Sequence, residues 1–136
     1  MDKLEYIPGD IVKIEYGEAT GKIGFVTNTF LRRKGCYSLV VFIGKGFQGS
    51  SKDDWIQTYN DEVSPIPLTP EILKKNGWEK LYEKFFEKNV NNIRLTIELS
   101  ENIYVAINRI FIMEIHYIHE LQHLLFGFGI NHEMEV

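Results

Sequence analysis

The segment Ser64-Pro65-Ile66-Pro67-Leu68 divides the chain into two parts of different composition. Two prolines spaced by one residue favour extended backbone and interrupt both helices and sheet ladders. Most of the glycines lie before this connector, and the part after it is rich in Glu, Lys, Asn and long apolar side chains. The sequence therefore predicts two small units, residues 1–64 and 65–136.

The first unit has the short alternating segments that are typical of antiparallel β structure. Val12, Ile14 and Tyr16 alternate with charged residues, and glycine-containing turns separate the later segments;. The expected strands lie at residues 11–16, 22–31, 37–43 and 55–59, with a weaker one around residue 63. Four or five short strands in about 60 residues predict a small, strongly bent barrel.

The second unit begins with a helix that its capping residues define. Thr69 supplies an N-cap hydroxyl, Pro70 fits the first helical position, and Gly77 is suited to the position after the end;. These signals predict a two-turn helix over residues 70–76.

An aromatic segment follows, and its spacing has two readings. Its large residues recur at helical intervals and comprise Trp78, Leu81, Tyr82, Phe85 and Phe86;. This spacing favours a helix, but the alternation from residue 82 to residue 88 leaves a strand open. In either form we expect Trp78, Tyr82, Phe85 and Phe86 to build the core that joins the two units.

The remaining segments complete an α+β unit. Residues 94–99 and 103–107 alternate around a polar turn and predict a hairpin, and residues 110–114 predict a further strand;. An amphipathic helix is expected from about residue 115 to residue 126, closed by Gly127 or Gly129.

Composition excludes several classes of protein. Fifteen Lys plus Arg against nineteen Asp plus Glu give a net charge of −4, which argues against a protein that coats nucleic acid through counterion release;. The single cysteine, Cys36, has no internal disulfide partner and favours a reducing cytoplasm;. We expect no signal peptide, no membrane span and no cofactor, and the oligomeric state is left open.

Two short glycine motifs resemble a known module. Gly9-Asp10-Ile11-Val12, followed by Gly21-Lys22-Ile23-Gly24-Phe25-Val26, is similar to the start of the KOW-type SH3-like barrel. The resemblance covers less than half of the chain. It implies a small barrel that binds RNA or a protein partner.

A second resemblance spans most of the chain. The segments 66–78 and 117–126 look like two motifs of uncharacterised small proteins from gut anaerobes and their phages. The second motif usually reads His-x-Leu-Gln-Asn in those proteins, so His123 stands where they have Asn. This resemblance implies a strand around residues 80–88 and brings no known activity.

The motif His119-Glu120-Leu121-Gln122-His123 has the HExxH spacing of zinc hydrolases. On a helix the spacing sets two imidazoles one turn apart as Zn²⁺ ligands, with Glu120 as general base. A catalytic zinc needs a third protein ligand, and His132 does not lie where the longer HExxHxxGxxH pattern requires it. A helical wheel places His116, His119 and His123 opposite the apolar arc, so we expect them to face solvent or a second surface.

Two weaker motifs lack the context that their chemistry needs. Residues 44–49 match GxGxxG but lead into another strand rather than a helix, which indicates a hairpin tip and not a phosphate cradle;. Cys36 adjoins basic residues that would lower a thiol pKa, but no histidine lies close in sequence to act as a base.

Basic and aromatic residues of the first unit form the candidate contact surface. Its residues lie in two predicted loops and are Arg32, Arg33, Lys34, Lys45, Phe47 and Lys52. Cations beside aromatic rings suit an acidic protein partner or nucleic-acid bases. The sequence thus predicts a non-enzymatic interaction protein, encoded by a phage or mobile element and acting on a host or phage macromolecule. A zinc hydrolase and an RNA-binding KOW module are the alternatives.

Overall fold

The computed structural model describes residues 6–33, 36–43 and 55–136, which form two antiparallel sheets and two short helices. This is an α+β architecture, as the sequence predicts. The chain divides into two compact units, Met1–Ile66 and Pro67–Val136.

The first unit holds one sheet of five strands. They are β1 (Ile11–Ile14), β2 (Ile23–Arg33), β3 (Cys36–Phe42), β4 (Trp55–Tyr59) and β5 (Val63–Ser64). Their order is β4-β3-β2-β1-β5, and every neighbouring pair is antiparallel. The strands lie where the alternation predicts them, and within the described ranges the sheet is open.

One face of this sheet carries the core of the first unit. Its buried members are Tyr6, Val12, Ile14, Ala19, Val26, Leu39, Val41 and Val63. The Pro-Gly-Asp turn leads the chain into β1, and the buried Asp10 carboxylate accepts a hydrogen bond from the Ile7 backbone N at 2.9 Å. The turn is therefore tied to the core by an internal acceptor.

The second unit holds the two helices and a sheet of five strands. The elements are α1 (Pro70–Lys75), β6 (Glu79–Tyr82), β7 (Phe85–Val90), β8 (Ile93–Leu99), β9 (Ile103–Ile107), β10 (Ile110–Ile115) and α2 (Ile118–Gly127). The sheet is an antiparallel meander, in the order β10-β9-β8-β7-β6.

The cap signals place α1 correctly. The Thr69 hydroxyl accepts from the Ile72 backbone N, and Asn76 is the C-cap residue. Gly77 follows with a φ of 86°, in the left-handed region that favours glycine;.

The prediction of a helix from the aromatic spacing is wrong, because β6 and β7 occupy that segment. Trp78 and Phe86 are buried, but Leu81 and Tyr82 are 47% and 61% exposed, so the large residues of this segment do not form one buried face. β7 pairs with β8 from Phe85 to Val90 across the turn at Asn91 and Asn92. Both asparagines have positive φ, as a tight hairpin turn requires, and this pairing overrides the helical spacing;.

The last helix begins later than its predicted start at residue 115. β10 continues to Ile115, and Tyr117 forms an isolated bridge with Pro67 before the helix begins at Ile118. The helix ends at Gly127, and Gly129 has a φ of 69°. No helix in the described ranges is long and apolar enough to cross a bilayer.

Candidate functional site

Glu120 of the HExxH motif is part of the start of α2. Tyr117 is the N-cap residue, with extended backbone. One carboxylate oxygen of Glu120, Oε1, accepts hydrogen bonds from the backbone N atoms of His116 and Tyr117, each at 3.0 Å. This is the contact that the third helical residue makes in a capping box, and it satisfies donors that the helix itself leaves unpaired.

Of the two surroundings expected for the histidines, solvent or a second surface, solvent does not apply to His119, which is only 2% exposed. The Tyr117 ring stacks on His119 at a centroid distance of 6.0 Å and an angle of 15°. His123 is half-buried and meets His119 edge-on at 5.5 Å, whereas His116 is exposed and precedes the helix. The buried side of α2 comprises Ile118, His119, Leu121, Gln122 and Leu125, so it extends beyond the apolar residues to include His119.

The HExxH motif thus brings two imidazoles together, and its carboxylate caps the start of α2. Within residues 6–33, 36–43 and 55–136, no three His, Cys, Asp or Glu side chains are grouped as metal ligands. A general base must reach the proton that it abstracts, but Oε1 of Glu120 lies on two backbone N–H groups;. The geometry favours a capping role for this motif over a hydrolytic one.

Two amide side chains of the second unit, which the sequence did not single out, hold residues 130–136. Asn76 exchanges two hydrogen bonds with the backbone of Glu135, and Gln122 donates to the carbonyl of His132. Asn76 and Glu135 are 59 positions apart. No local pattern marks such a contact, so sequence reasoning had no signal for it.

The second face of the first sheet is covered with aromatic rings. Phe25 pairs with Phe42, and Phe42 pairs with Trp55, so three rings lie side by side across β2, β3 and β4. Their centroids are 5.5 and 4.6 Å apart. Four positions away along β3, Ser38 pairs with both Phe30 and Tyr59.

These residues share one side of the sheet, because alternate positions of a strand point to the same face. Val26, Leu39 and Val41 point to the opposite face and form the core. We call the second surface the aromatic face and define it by Phe25, Phe30, Phe42, Trp55 and Tyr59. Asn28, Val40 and Gln57 form a row between its two aromatic rows.

The aromatic face is open and carries no acid. Phe30, Trp55 and Tyr59 are 47%, 40% and 40% exposed. The Gln57 amide donates to the Ser38 hydroxyl at 3.1 Å, which fixes a polar group between the rings. None of the residues in the described strands β1 to β5 is Asp or Glu, although the whole chain carries a net charge of −4.

The predicted basic residues are only partly described. Arg32 and Arg33 belong to the end of β2 rather than to a loop, and the Arg32 side chain is exposed. β3 begins at Cys36, which pairs with Arg33. Lys34, Lys45, Phe47 and Lys52, with the glycine motif at residues 44–49, lie outside the described residues.

We compared the chain with known protein families, curated proteins and solved structures. No family model, curated protein or solved structure matches this chain.

Proposed function

We propose that the chain is a non-enzymatic binding protein and that its first unit, an SH3-like barrel, contacts a host or phage protein. The aromatic face carries this proposal, since Phe30, Trp55 and Tyr59 are exposed on one side of a sheet whose other side is already packed. Contiguous exposed apolar surface on a folded domain is typical of interaction sites. Arg32 and Arg33, at the end of β2, extend the contact surface, and Lys34 follows them in the sequence.

Two features of the sheet support the barrel. β5 returns to pair with β1, so the last strand of the unit lies beside the first. The eleven-residue β2 has register shifts between Val26 and Asn28 and between Leu31 and Arg33. Such bulges bend a strand and increase its twist, which is what a small barrel needs.

The composition of the aromatic face suits a protein partner. Trp, Tyr and Arg are the residues that most often dominate the binding energy of an interface. Truncating such a residue to alanine costs more than about 2 kcal/mol of binding free energy. Trp55, Tyr59 and Arg32 provide all three types within the same sheet. The amides of Asn28 and Gln57 add hydrogen-bonding groups between the rings.

The test is co-purification of the tagged chain from its native host, followed by identification of what is captured. We expect the double variant Trp55→Ala, Tyr59→Ala and the triple variant Arg32→Ala, Arg33→Ala, Lys34→Ala to lose the partner and to keep their folding stability. Tyr16→Ala is the matched control, because Tyr16 is 64% exposed and lies outside the aromatic face. Equal capture by the wild type and both multiple variants would remove this surface from the proposal.

RNA is a second candidate ligand, and the absence of acidic residues from the described strands β1 to β5 favours it. Exposed rings on a sheet stack bases, and amide side chains between them can bond base edges. Retention of RNA that falls with salt and is lost in the Trp55→Ala, Tyr59→Ala variant would favour this candidate over a protein partner.

A further inference from the structure

We propose that α1 and α2 of the second unit form a peptide-binding site, in which residues 130–136 are a resident occupant that an extended segment of a partner protein replaces. We call residues 130–136 the strap. The peptide site consists of Lys75, Asn76 and Gln122. It is separate from the aromatic face, so the inference goes beyond the proposed function.

Asn76 contacts the strap as a neighbouring β-strand would. Its Nδ2 donates to the Glu135 carbonyl oxygen at 2.8 Å, and its Oδ1 accepts from the Glu135 backbone N at 2.8 Å. A residue in an antiparallel ladder exchanges the same two bonds with its partner. One carboxamide therefore binds both backbone groups of a single strap residue, whatever side chain that residue carries.

Two further side chains bind the same main chain. Gln122 Nε2 donates to the His132 carbonyl at 2.9 Å, and Lys75 Nζ donates to the Val136 carbonyl at 2.8 Å. Two of the three side chains, Asn76 and Gln122, are held within the second unit. Gln122 is fully buried, and Asn76 Nδ2 also donates to the Ile72 carbonyl at 2.8 Å, which anchors it to the end of α1. A preorganised set of groups loses little entropy when it binds a segment.

The strap also shows which side chains the site selects. Ile130 is only 6% exposed, and the His132 ring meets the Phe126 ring edge-on at 5.1 Å. Glu133 and Glu135 are exposed. The partner segment that fits has an aliphatic residue at the Ile130 position, a planar ring at the His132 position and no proline at the Glu135 position.

The strap is suited to displacement. It has no regular secondary structure, and from residue 131 onwards its residues are exposed or half-buried. Ile130 is its one buried side chain, so the rest of its bound state depends largely on hydrogen bonds that another segment reproduces;. Because the strap belongs to the same chain, its effective concentration at the peptide site is high. It therefore lowers the apparent affinity of that site for a competing segment.

The experiment measures binding of a fluorescein-labelled peptide Ile-Asn-His-Glu-Met-Glu-Val, the strap sequence, to the full chain by fluorescence anisotropy. Glu135→Pro removes the strap N–H that donates to Asn76 Oδ1 and leaves the peptide site intact. We expect this variant to bind the peptide about tenfold more tightly than the wild type does, because one hydrogen bond of the competing occupant is lost. Adding Asn76→Ala to it should abolish binding, whereas adding Asn89→Ala, an exposed asparagine of β7, should not.

Two results would overturn the proposal. One is a folded Glu135→Pro variant, shown by circular dichroism, that binds the peptide no more tightly than the wild type. The other is a wild-type dimer that exchanges straps between two copies. If Glu135→Pro does not fold, the wild type decides the question: excess unlabelled peptide should accelerate hydrogen exchange at the Glu135 amide, and an unchanged rate would refute displacement.

Discussion

Replacing Glu120 with alanine is expected to destabilise the second unit by about 1–2 kcal/mol, because two backbone N–H groups lose their shared acceptor. These donors belong to His116 and Tyr117, and each lies 3.0 Å from Glu120 Oε1. The carboxylate also interacts favourably with the start of α2, an effect of about 0.3–1 kcal/mol. Glu120→Gln keeps an oxygen acceptor and loses only the charge, so its cost should be about 1 kcal/mol smaller than that of alanine.

Urea unfolding followed by circular dichroism measures these differences, with Glu101→Ala as the control for loss of an exposed acid in the turn between β8 and β9;. The expected order of stability is wild type, then Glu120→Gln, then Glu120→Ala, with Glu101→Ala close to the wild type. A general base would behave differently, because its loss leaves stability unchanged and glutamine cannot replace it. Equal stability of the alanine variant and the wild type would refute the capping role.

The first unit yields two further predictions by the same assay. Gly24→Ala should cost about 1–3 kcal/mol, because a Cβ there would lie 2.8 Å from the Ile43 side chain and 2.9 Å from the Val41 side chain;. Gly127→Ala is its matched control in α2, where a Cβ meets nothing within 4 Å, and it should stabilise by up to about 1 kcal/mol;. Asp10→Ala should cost about 1–3 kcal/mol, since it leaves the Ile7 N–H without its carboxylate acceptor, and Asp10→Asn should cost less;. A neutral Gly24→Ala or Asp10→Ala would contradict the packing and hydrogen bonding described for the first sheet.

Local patterns predict much of this fold. The strands of the first unit follow from alternation between turns, and α1 follows from Thr69, Pro70 and Gly77, because each signal acts within a few residues. The hairpin at Asn91 and Asn92 also had a local signal, since asparagine tolerates positive φ;. That signal would have favoured the strands β6 and β7 over a helix.

The parts that the sequence does not predict depend on distant contacts. His119 is buried together with Gln122, because the packed side of α2 is wider than its apolar arc, which a helical wheel over residues 115–126 does not show. The rings of the aromatic face come from three strands, and their alignment depends on register. Asn76 reads as a helix-ending residue, and only the fold brings Glu135 to it.

Hydrogen–deuterium exchange on the complex with the captured partner tests the central claim, that the aromatic face is the binding surface. The account predicts slower exchange of amides in β2, β3 and β4 when the partner is bound, and unchanged exchange in α2. Slower exchange confined to α2 and its histidines, with β2 to β4 unaffected, would contradict it.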